Sequence, residues 1–209
     1  MRAAVFDFDG VLVDSEPLHF EALRDAMLSE GITVTREDYF AKYLAYDDRG
    51  AIRRKVARFG EVLKNVTFFP GARDVVRALA AEVPLGIASG ARHAEIEAIL
   101  TAGELREPFS VIVGADDAPR TKPDPAPYLV AARELAAFAP GLEPADCLAF
   151  EDSVPGIASA LAAGMKVVGV AHSYPPDKLR IAPRGARARR PARPVRALRC
   201  PHVSSTPSR

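Results

Sequence analysis

Residues 3–10 read AAVFDFDG, and the interpretation of the whole chain starts from this stretch. Its apolar beginning predicts a buried strand over Ala3–Phe8. Because side chains two residues apart on a strand point the same way, we expect Asp7 and Asp9 to lie on the same side at the end of the strand. Gly10 then allows the chain to turn sharply. Two carboxylates this close repel each other unless a cation or a shared proton intervenes, so the stretch predicts a site for a hard divalent cation.

Length and composition indicate a soluble globular protein. The chain has 209 residues, of which 48% are hydrophobic, and it contains no apolar run of about 20 residues that could span a membrane. Because the first strand begins at once, we expect no signal peptide and a cytoplasmic location. The two cysteines, Cys147 and Cys200, predict no disulfide framework, and Cys147 is expected to pack in the core.

The charge is distributed unevenly along the chain. Residues 180–209 contain nine Arg and no Asp or Glu, whereas residues 1–179 carry 19 Lys and Arg against 27 Asp and Glu, a net charge of −8. Residues 1–179 therefore have the net negative charge of an acidic enzyme domain. The Arg/Pro-rich tail cannot bury enough apolar surface to order itself, so we expect it to be disordered. One hypothesis is that it reflects a shifted reading frame, which the other frames of the coding DNA would test.

Short apolar runs alternate with helical patterns in the second half of the chain, which predicts a doubly wound α/β fold with a parallel sheet covered on both faces. The predicted strands after the first are 84–90, 110–114, 147–150 and 166–170. The predicted helices are 72–81, 91–102, 127–138 and 156–163. Before these elements, helical spacing at residues 18–28 and 52–59, with helix ends at Gly31 and Gly60, predicts a helical insertion.

Polar residues follow several of the predicted strands. Ser89 and Gly90 end one strand, and Glu151 and Asp152 end another. In parallel sheets the ligands lie beyond the carboxyl ends of the strands, so these residues are expected to meet Asp7. Carboxylates there could share Mg²⁺, while a hydroxyl donor and the cation Lys122 suit a phosphoryl group. Asp7 could then act as the nucleophile and Asp9 as the general acid and base.

Four motifs in this order resemble the haloacid dehalogenase superfamily, in the branch of phosphoglycolate phosphatases and β-phosphoglucomutases. They are DFDGVLVDS at 7–15, the serine in LGIAS at 85–89, the lysine in TKPDP at 121–125, and EDS at 151–153. The resemblance covers residues 1 to about 175. It implies a Rossmann-like core made of residues 1–14 and 70–179, with a small helical cap at 15–69 that closes over the site.

The resemblance also implies the role of each site residue. Asp7 would be the nucleophile and would bind Mg²⁺ together with Asp152 and the backbone carbonyl of Asp9, with Glu151 in support. The other implied roles are acid/base catalysis by Asp9 and phosphate binding by Ser89, Gly90 and Lys122, with His19 and Arg49 of the cap contacting the substrate.

These residues are compatible with three functions. The first is a Mg²⁺-dependent phosphatase that acts on a small phosphorylated metabolite through an aspartyl-phosphate, in a monomer or homodimer. The second is a phosphosugar mutase, which is disfavoured because mutase relatives carry a lysine close to the position of Ala45. The third is a catalytically weak protein whose basic tail docks on nucleic acid. The tail has no aromatic residues to stack on bases, so nucleic acid is not the expected partner.

Overall fold

The computed structural model describes residues 1–28, 31–38 and 66–179. Arg49, the helical pattern at 52–59 with its end at Gly60, and the tail at 180–209 lie outside the described residues. Within the described part of the chain, no helix is both long enough and apolar enough to cross a membrane.

In the described part of the chain, seven strands form two sheets. They are β1 (Ala3–Phe6), β2 (Val13–Asp14), β3 (Thr67–Phe68), β4 (Leu85–Ala88), β5 (Phe109–Val113), β6 (Cys147–Glu151) and β7 (Lys166–Gly169). The larger sheet has the order β5-β4-β1-β6-β7, and all of its strands are parallel. From β1 the chain builds β4 and β5 on one side and then crosses to β6 and β7 on the other. The carboxyl end of β1 therefore lies at a topological switch point, where ligands bind in such sheets.

Six α-helices accompany these strands within residues 1–28, 31–38 and 66–179. They are α1 (Glu16–Leu28), α2 (Arg36–Asp38), α3 (Ala72–Ala80), α4 (His93–Ala102), α5 (Ala126–Leu135) and α6 (Val154–Ala162). The alternation of strands and helices confirms the predicted doubly wound α/β fold, although several boundaries shift. Helix α5 stops at Leu135 rather than at Phe138, because the amides of Ala137 and Phe138 bond back over three residues in tighter turns. Helix α6 begins two residues early, because the Ser153 hydroxyl accepts the Gly156 amide at 3.1 Å and caps the helix.

Each face of the main sheet buries its own apolar cluster. Along β1 the side chains alternate, so Val5 packs on one face with Tyr128 of α5 and Ile157 of α6. Phe6 packs on the other face, in the cluster that contains Val76 of α3 and residues of α4. Burial of both faces explains why the strands read as continuous apolar runs. Cys147 is fully buried in this core, as predicted.

Phe6 joins three strands through its ring. It stacks on Phe150 of β6 with centroids 4.6 Å apart and meets the edge of Phe109 of β5 at 6.0 Å. Its exposed fraction is 2%. Because the next residue is Asp7, this aromatic contact also fixes the backbone from which the first predicted catalytic group projects.

The small antiparallel sheet brings two distant parts of the chain together. Val13 of β2 pairs with Phe68 of β3, and the Phe69 amide donates to the Leu12 carbonyl at 3.0 Å. The chain therefore leaves the main sheet and returns to it at the same place. Helix α1 lies in the intervening segment, where Phe20 and Val34 form a small separate cluster.

We expect Phe6→Ala to lower the free energy of unfolding by about 3–5 kcal/mol, because it removes a buried ring and leaves a cavity. Val75→Ala is the control, since Val75 is 47% exposed and its truncation should cost less than about 0.5 kcal/mol. Urea unfolding measures both values. Similar losses for the two variants would contradict the role assigned to the Phe6 ring.

Candidate active site

The predicted acidic residues meet at the carboxyl edge of the main sheet. Asp7 directly follows β1, Glu151 is the last residue of β6, and Asp152 comes next. Carboxylate oxygens of the three lie within 4.8 Å of one another. The juxtaposition follows from the parallel register, in which Phe6 lies opposite Phe150 and the Asp7 amide donates to the Phe150 carbonyl at 2.9 Å.

Lys122 bridges two of these carboxylates. Its Nζ lies 2.9 Å from Asp7 Oδ1 and 2.6 Å from Glu151 Oε1, and its side chain is 11% exposed. Burial by itself would lower the pKa of Lys122, but the attraction of Asp7 and Glu151 reverses the shift and raises it. Lys122 is therefore charged, and the loop that carries it is tied to β1 and to β6.

Glu151 is the most completely bonded carboxylate of the cluster. It is fully buried, and it accepts hydrogen bonds from Lys122, from the Tyr128 hydroxyl at 2.9 Å, and from the Ser153 amide and hydroxyl at 3.1 and 3.0 Å. Burial would raise the pKa of Glu151, but Lys122 and the hydrogen bonds lower it. A Cβ on Gly156 would lie 1.7 Å from Glu151 Oε1, so α6 can approach this carboxylate only with glycine there.

Asp7 and Asp152 are also buried, but they accept fewer of the described hydrogen bonds than Glu151 does. The pKa of Asp7 is raised well above its usual range, first by burial and then by Glu151 and Asp152, against the opposing effect of Lys122. Burial is also the main reason why the pKa of Asp152 rises to about 7. Three carboxylates face one lysine, so ionisation of all three leaves excess negative charge. Hard oxygen donors in such a cluster fit a divalent cation.

The turn after Asp7 packs tightly on the cluster. Gly10 has a φ of +73°, and a Cβ there would lie 1.9 Å from Asp152 Oδ2. Both facts require glycine at this position. Asp9 Oδ1 accepts a hydrogen bond from the Ser15 hydroxyl at 2.5 Å, and Asp152 Oδ2 accepts one from the Ser173 hydroxyl. The side chains that hold these two acids thus come from opposite ends of the chain.

Ser89 forms a local turn rather than a helix cap. A serine after a strand usually caps the following helix, but α4 begins only at His93, and Arg92 precedes it. Ser89 Oγ instead accepts the Ala91 amide at 3.1 Å, which forms a local turn. Ser89 is 3% exposed and follows β4, the neighbour of β1, while Gly90 beside it is exposed.

Two predicted substrate contacts are not placed by the structure. His19 falls within α1, but its side chain is not described, and Arg49 lies outside the described residues. Their roles stay predictions.

Sequence reasoning missed three residues that support the acids. The helical pattern predicts only that Tyr128 faces the core. No local pattern indicates that its hydroxyl donates to Glu151. Ser173 lies in a loop with no motif. Ser15 belongs to the first motif. Its position six residues after Asp9 was the one signal that its hydroxyl could bond this acid.

A cavity of about 400 Å³ adjoins the Asp9–Gly10 turn. Its size is within the range of small-molecule sites. Its lining combines a cation, an acid, hydroxyls and apolar walls. The lining residues are Gly10, Asp14, Ser15, Pro17, Phe20, Arg36, Phe69, Ala171, His172 and Ser173.

Comparison with known proteins assigns this fold and site to a class of hydrolases. A family model described as haloacid dehalogenase-like hydrolase matches residues 1–164. The chain therefore belongs to the haloacid dehalogenase-like hydrolase family, as the four motifs predicted.

Named relatives narrow the class to phosphohydrolases. The chain is 32% identical to hexitol phosphatase B of Escherichia coli K12, over 80% of this chain and 82% of the relative. It is 30% identical to a phosphorylated carbohydrates phosphatase of Thermotoga maritima, over 83% and 87%. The structure of CbbY from Rhodobacter sphaeroides in complex with phosphate superimposes with a TM-score of 0.67 at 27% identity, over 81% and 86%. The chain is a phosphohydrolase.

We expect Asp152→Asn to raise the melting temperature of the metal-free protein, because it removes a buried charge repelled by Glu151. The pKa of Asp152 is raised from 3.8 to about 7, so its stabilising contribution is full at low pH and is lost as the pH rises to about 7. The advantage of the variant should therefore grow between pH 4 and pH 7 and then level off. Calorimetry in the presence of a chelator measures it.

Added Mg²⁺ should raise the melting temperature of the wild type by mass action and leave that of Asp152→Asn unchanged. The exposed Asp177→Asn is the control and should behave like the wild type. Equal stabilisation of all three proteins by Mg²⁺ would contradict a cation site at Asp152.

Proposed function

We propose that this protein is a Mg²⁺-dependent phosphatase that hydrolyses small phosphorylated sugars or sugar alcohols through an aspartyl-phosphate on Asp7. The observation that carries the proposal is the position of Lys122 Nζ, 2.9 Å from Asp7 Oδ1 and beside two further buried carboxylates. Phosphoryl transfer needs positioning and neutralisation of charge more than covalent assistance, and this cluster offers both.

Asp7 is oriented for attack by two contacts on one oxygen. The Phe8 amide donates to Asp7 Oδ1 at 2.7 Å, and Lys122 approaches the same atom. We therefore assign the attack to Oδ2. In the first step a bond forms between this oxygen and phosphorus, and the bond from phosphorus to the leaving oxygen breaks. Asp9 gives its proton to the leaving oxygen.

The second step returns the enzyme to its starting state. Water attacks the phosphorus of the aspartyl-phosphate, Asp9 takes up a proton of that water, and the bond between Asp7 and phosphorus breaks to release inorganic phosphate. Lys122 and Ser89, with the backbone at Gly90, would hold the phosphoryl oxygens in both steps.

The residues suited to hold Mg²⁺ are Asp7, Asp152 and the backbone carbonyl of Asp9, with Glu151 in support. Bound there, Mg²⁺ would supply positive charge against the phosphoryl oxygens. Glu151 contributes by fixing Lys122 and by receiving the Ser153 donors, which hold the start of α6 against the site.

The segment 15–69 serves as a cap in this proposal. The β2–β3 pair joins its two ends, and α1 and α2 lie within it. Closure of such a cap would exclude water from the first step, and His19 and Arg49 would reach the substrate from it.

The cavity beside the Asp9–Gly10 turn is the proposed place for the leaving group. Ser15 lines this cavity and bonds Asp9, so the cavity reaches the proposed proton donor. Arg36 supplies a cation, held 5.3 Å from the centre of the Phe20 ring. Hydroxyl-rich or acidic leaving groups suit such a lining, and two of the relatives named above are a hexitol phosphatase and a phosphorylated carbohydrates phosphatase.

We expect Asp7→Asn to lower phosphate release from sugar phosphates by at least about a thousandfold, because an amide cannot form the phosphoryl-enzyme. Asp74→Asn is the control, since Asp74 is exposed on α3. Acid quenching with radiolabelled substrate should trap a labelled wild-type protein and an unlabelled Asp7→Asn. Sugar-phosphate isomerisation without net release would instead support the mutase.

We expect Arg36→Gln to raise KM about tenfold with little change in kcat, since one hydrogen bond to a charged group contributes roughly 1.5 kcal/mol. Arg24→Gln is a matched control: Arg24 also lies over the Phe20 ring, at 5.8 Å, but is not among the described residues that line the cavity. Steady-state kinetics on the best sugar phosphate measures both. Equal KM values for the two variants would place the leaving group elsewhere.

A further inference from the structure

His172 contacts the backbone of the first motif from the far end of the sheet. It lies in the loop after β7, and its Nδ1 is 2.8 Å from the carbonyl oxygen of Gly10. Because a carbonyl oxygen only accepts hydrogen bonds, Nδ1 must carry the proton. His172 is thus a directed donor to the residue that follows Asp9.

The same ring also contacts the return of the chain from the proposed cap. It stacks on Phe69 with ring centroids 3.8 Å apart and an interplanar angle of 21°. The Phe69 amide is in turn bonded to the Leu12 carbonyl at 3.0 Å. His172 therefore connects the loop after β7, the turn at Gly10 and the segment that follows β3.

The contact with Gly10 completes the anchoring of the turn that carries Asp9. The Gly10 amide donates to the Val13 carbonyl at 2.9 Å, so His172 holds the other polar atom of this residue. Gly10 has a φ of +73°, a region in which glycine has wide freedom when nothing holds it. The side chain of Asp9 is fixed separately, by the Ser15 hydroxyl.

We propose that His172 is a positioning residue, whose hydrogen bond to the Gly10 carbonyl aims the carboxyl group of Asp9 at the leaving oxygen. The proposal rests on the proposed role of Asp9 as general acid. Two further observations favour it. The next residue, Ser173, donates to Asp152, so the same short loop supports both sides of the site. His172 and Ser15 also line the same cavity, in which the leaving group is proposed to lie.

Two substitutions separate the hydrogen bond of His172 from its packing. His172→Phe keeps a ring to stack on Phe69 but has no donor for Gly10. His172→Asn loses the ring but keeps an N–H donor, because its amide nitrogen is attached to the same γ carbon position as Nδ1. If the hydrogen bond is what matters, Asn should replace His better than Phe does.

Comparing two substrates with different leaving groups distinguishes positioning of Asp9 from a merely structural role of His172. A sugar phosphate has a poor leaving group that needs the proton of Asp9. The p-nitrophenolate of p-nitrophenyl phosphate is a good leaving group and needs little protonation. Because general acid catalysis contributes about a hundredfold or more, we expect His172→Phe to lower kcat on the sugar phosphate by at least about tenfold. On p-nitrophenyl phosphate the loss should stay below about threefold, with KM unchanged, and His172→Asn should recover most of the sugar phosphate activity.

Outcomes of three kinds would overturn the proposal. Equal losses on both substrates would show a general structural defect, and full activity of His172→Phe on the sugar phosphate would show that the hydrogen bond does not position Asp9. Nitrogen NMR of the wild-type full-length protein tests the bond without any assay, and a His172 ring protonated at Nε2 alone would overturn it even if a variant fails to fold. A wild type that releases no phosphate from any ester would instead overturn the proposed function itself.

Discussion

The buried bridge from Lys122 to Asp7 and Glu151 is the interaction on which the site depends. A charge removed from water is costly unless it is paired and hydrogen-bonded. Lys122 meets this condition through its two carboxylates, and Glu151 meets it through Lys122, Tyr128 and Ser153. Removing one partner would leave another charge buried and unpaired. The bridge therefore ties β1, β6, α5 and the Lys122 loop into one unit.

The other two buried carboxylates, Asp7 and Asp152, destabilise the fold in the absence of a cation. Asp7 and Asp152 are buried beside Glu151, and burial raises the pKa of both. A folded chain without a cation therefore carries repulsion that apolar residues of similar volume would remove. Strongly perturbed carboxylates at the carboxyl edge of a parallel sheet are typical of functional sites. The same excess of negative charge that destabilises the cluster makes it suited to a divalent cation.

The sequence predicted what depends on strand order and missed what depends on packing between distant elements. Asp7, Glu151 and Asp152 were predicted to meet because each lies at the carboxyl end of a strand, and the parallel sheet brings them within 4.8 Å. Tyr128 could not be found this way, since a helix pattern shows only that its side faces the core. The sequence could not tell whether the Ser89 hydroxyl caps the next helix or forms a local turn, because the two share the same serine signature. The structure has the turn, which ends before α4 begins.

Asp7 and Asp9 are two residues apart, yet their surroundings separate their chemistry. Strand β1 ends at Phe6, so Asp9 lies on the turn and, among the described acids, stands outside the cluster of Asp7, Glu151 and Asp152. Asp7 faces the lysine and the other acids, whereas Asp9 is bonded by a neutral hydroxyl, Ser15. Pairs of acids in unlike environments can take different roles, and the roles of nucleophile and proton carrier that we propose for Asp7 and Asp9 rest on this difference. The glycine turn after Asp9 makes this division possible, because it brings the backbone against Asp152 at a distance no Cβ allows.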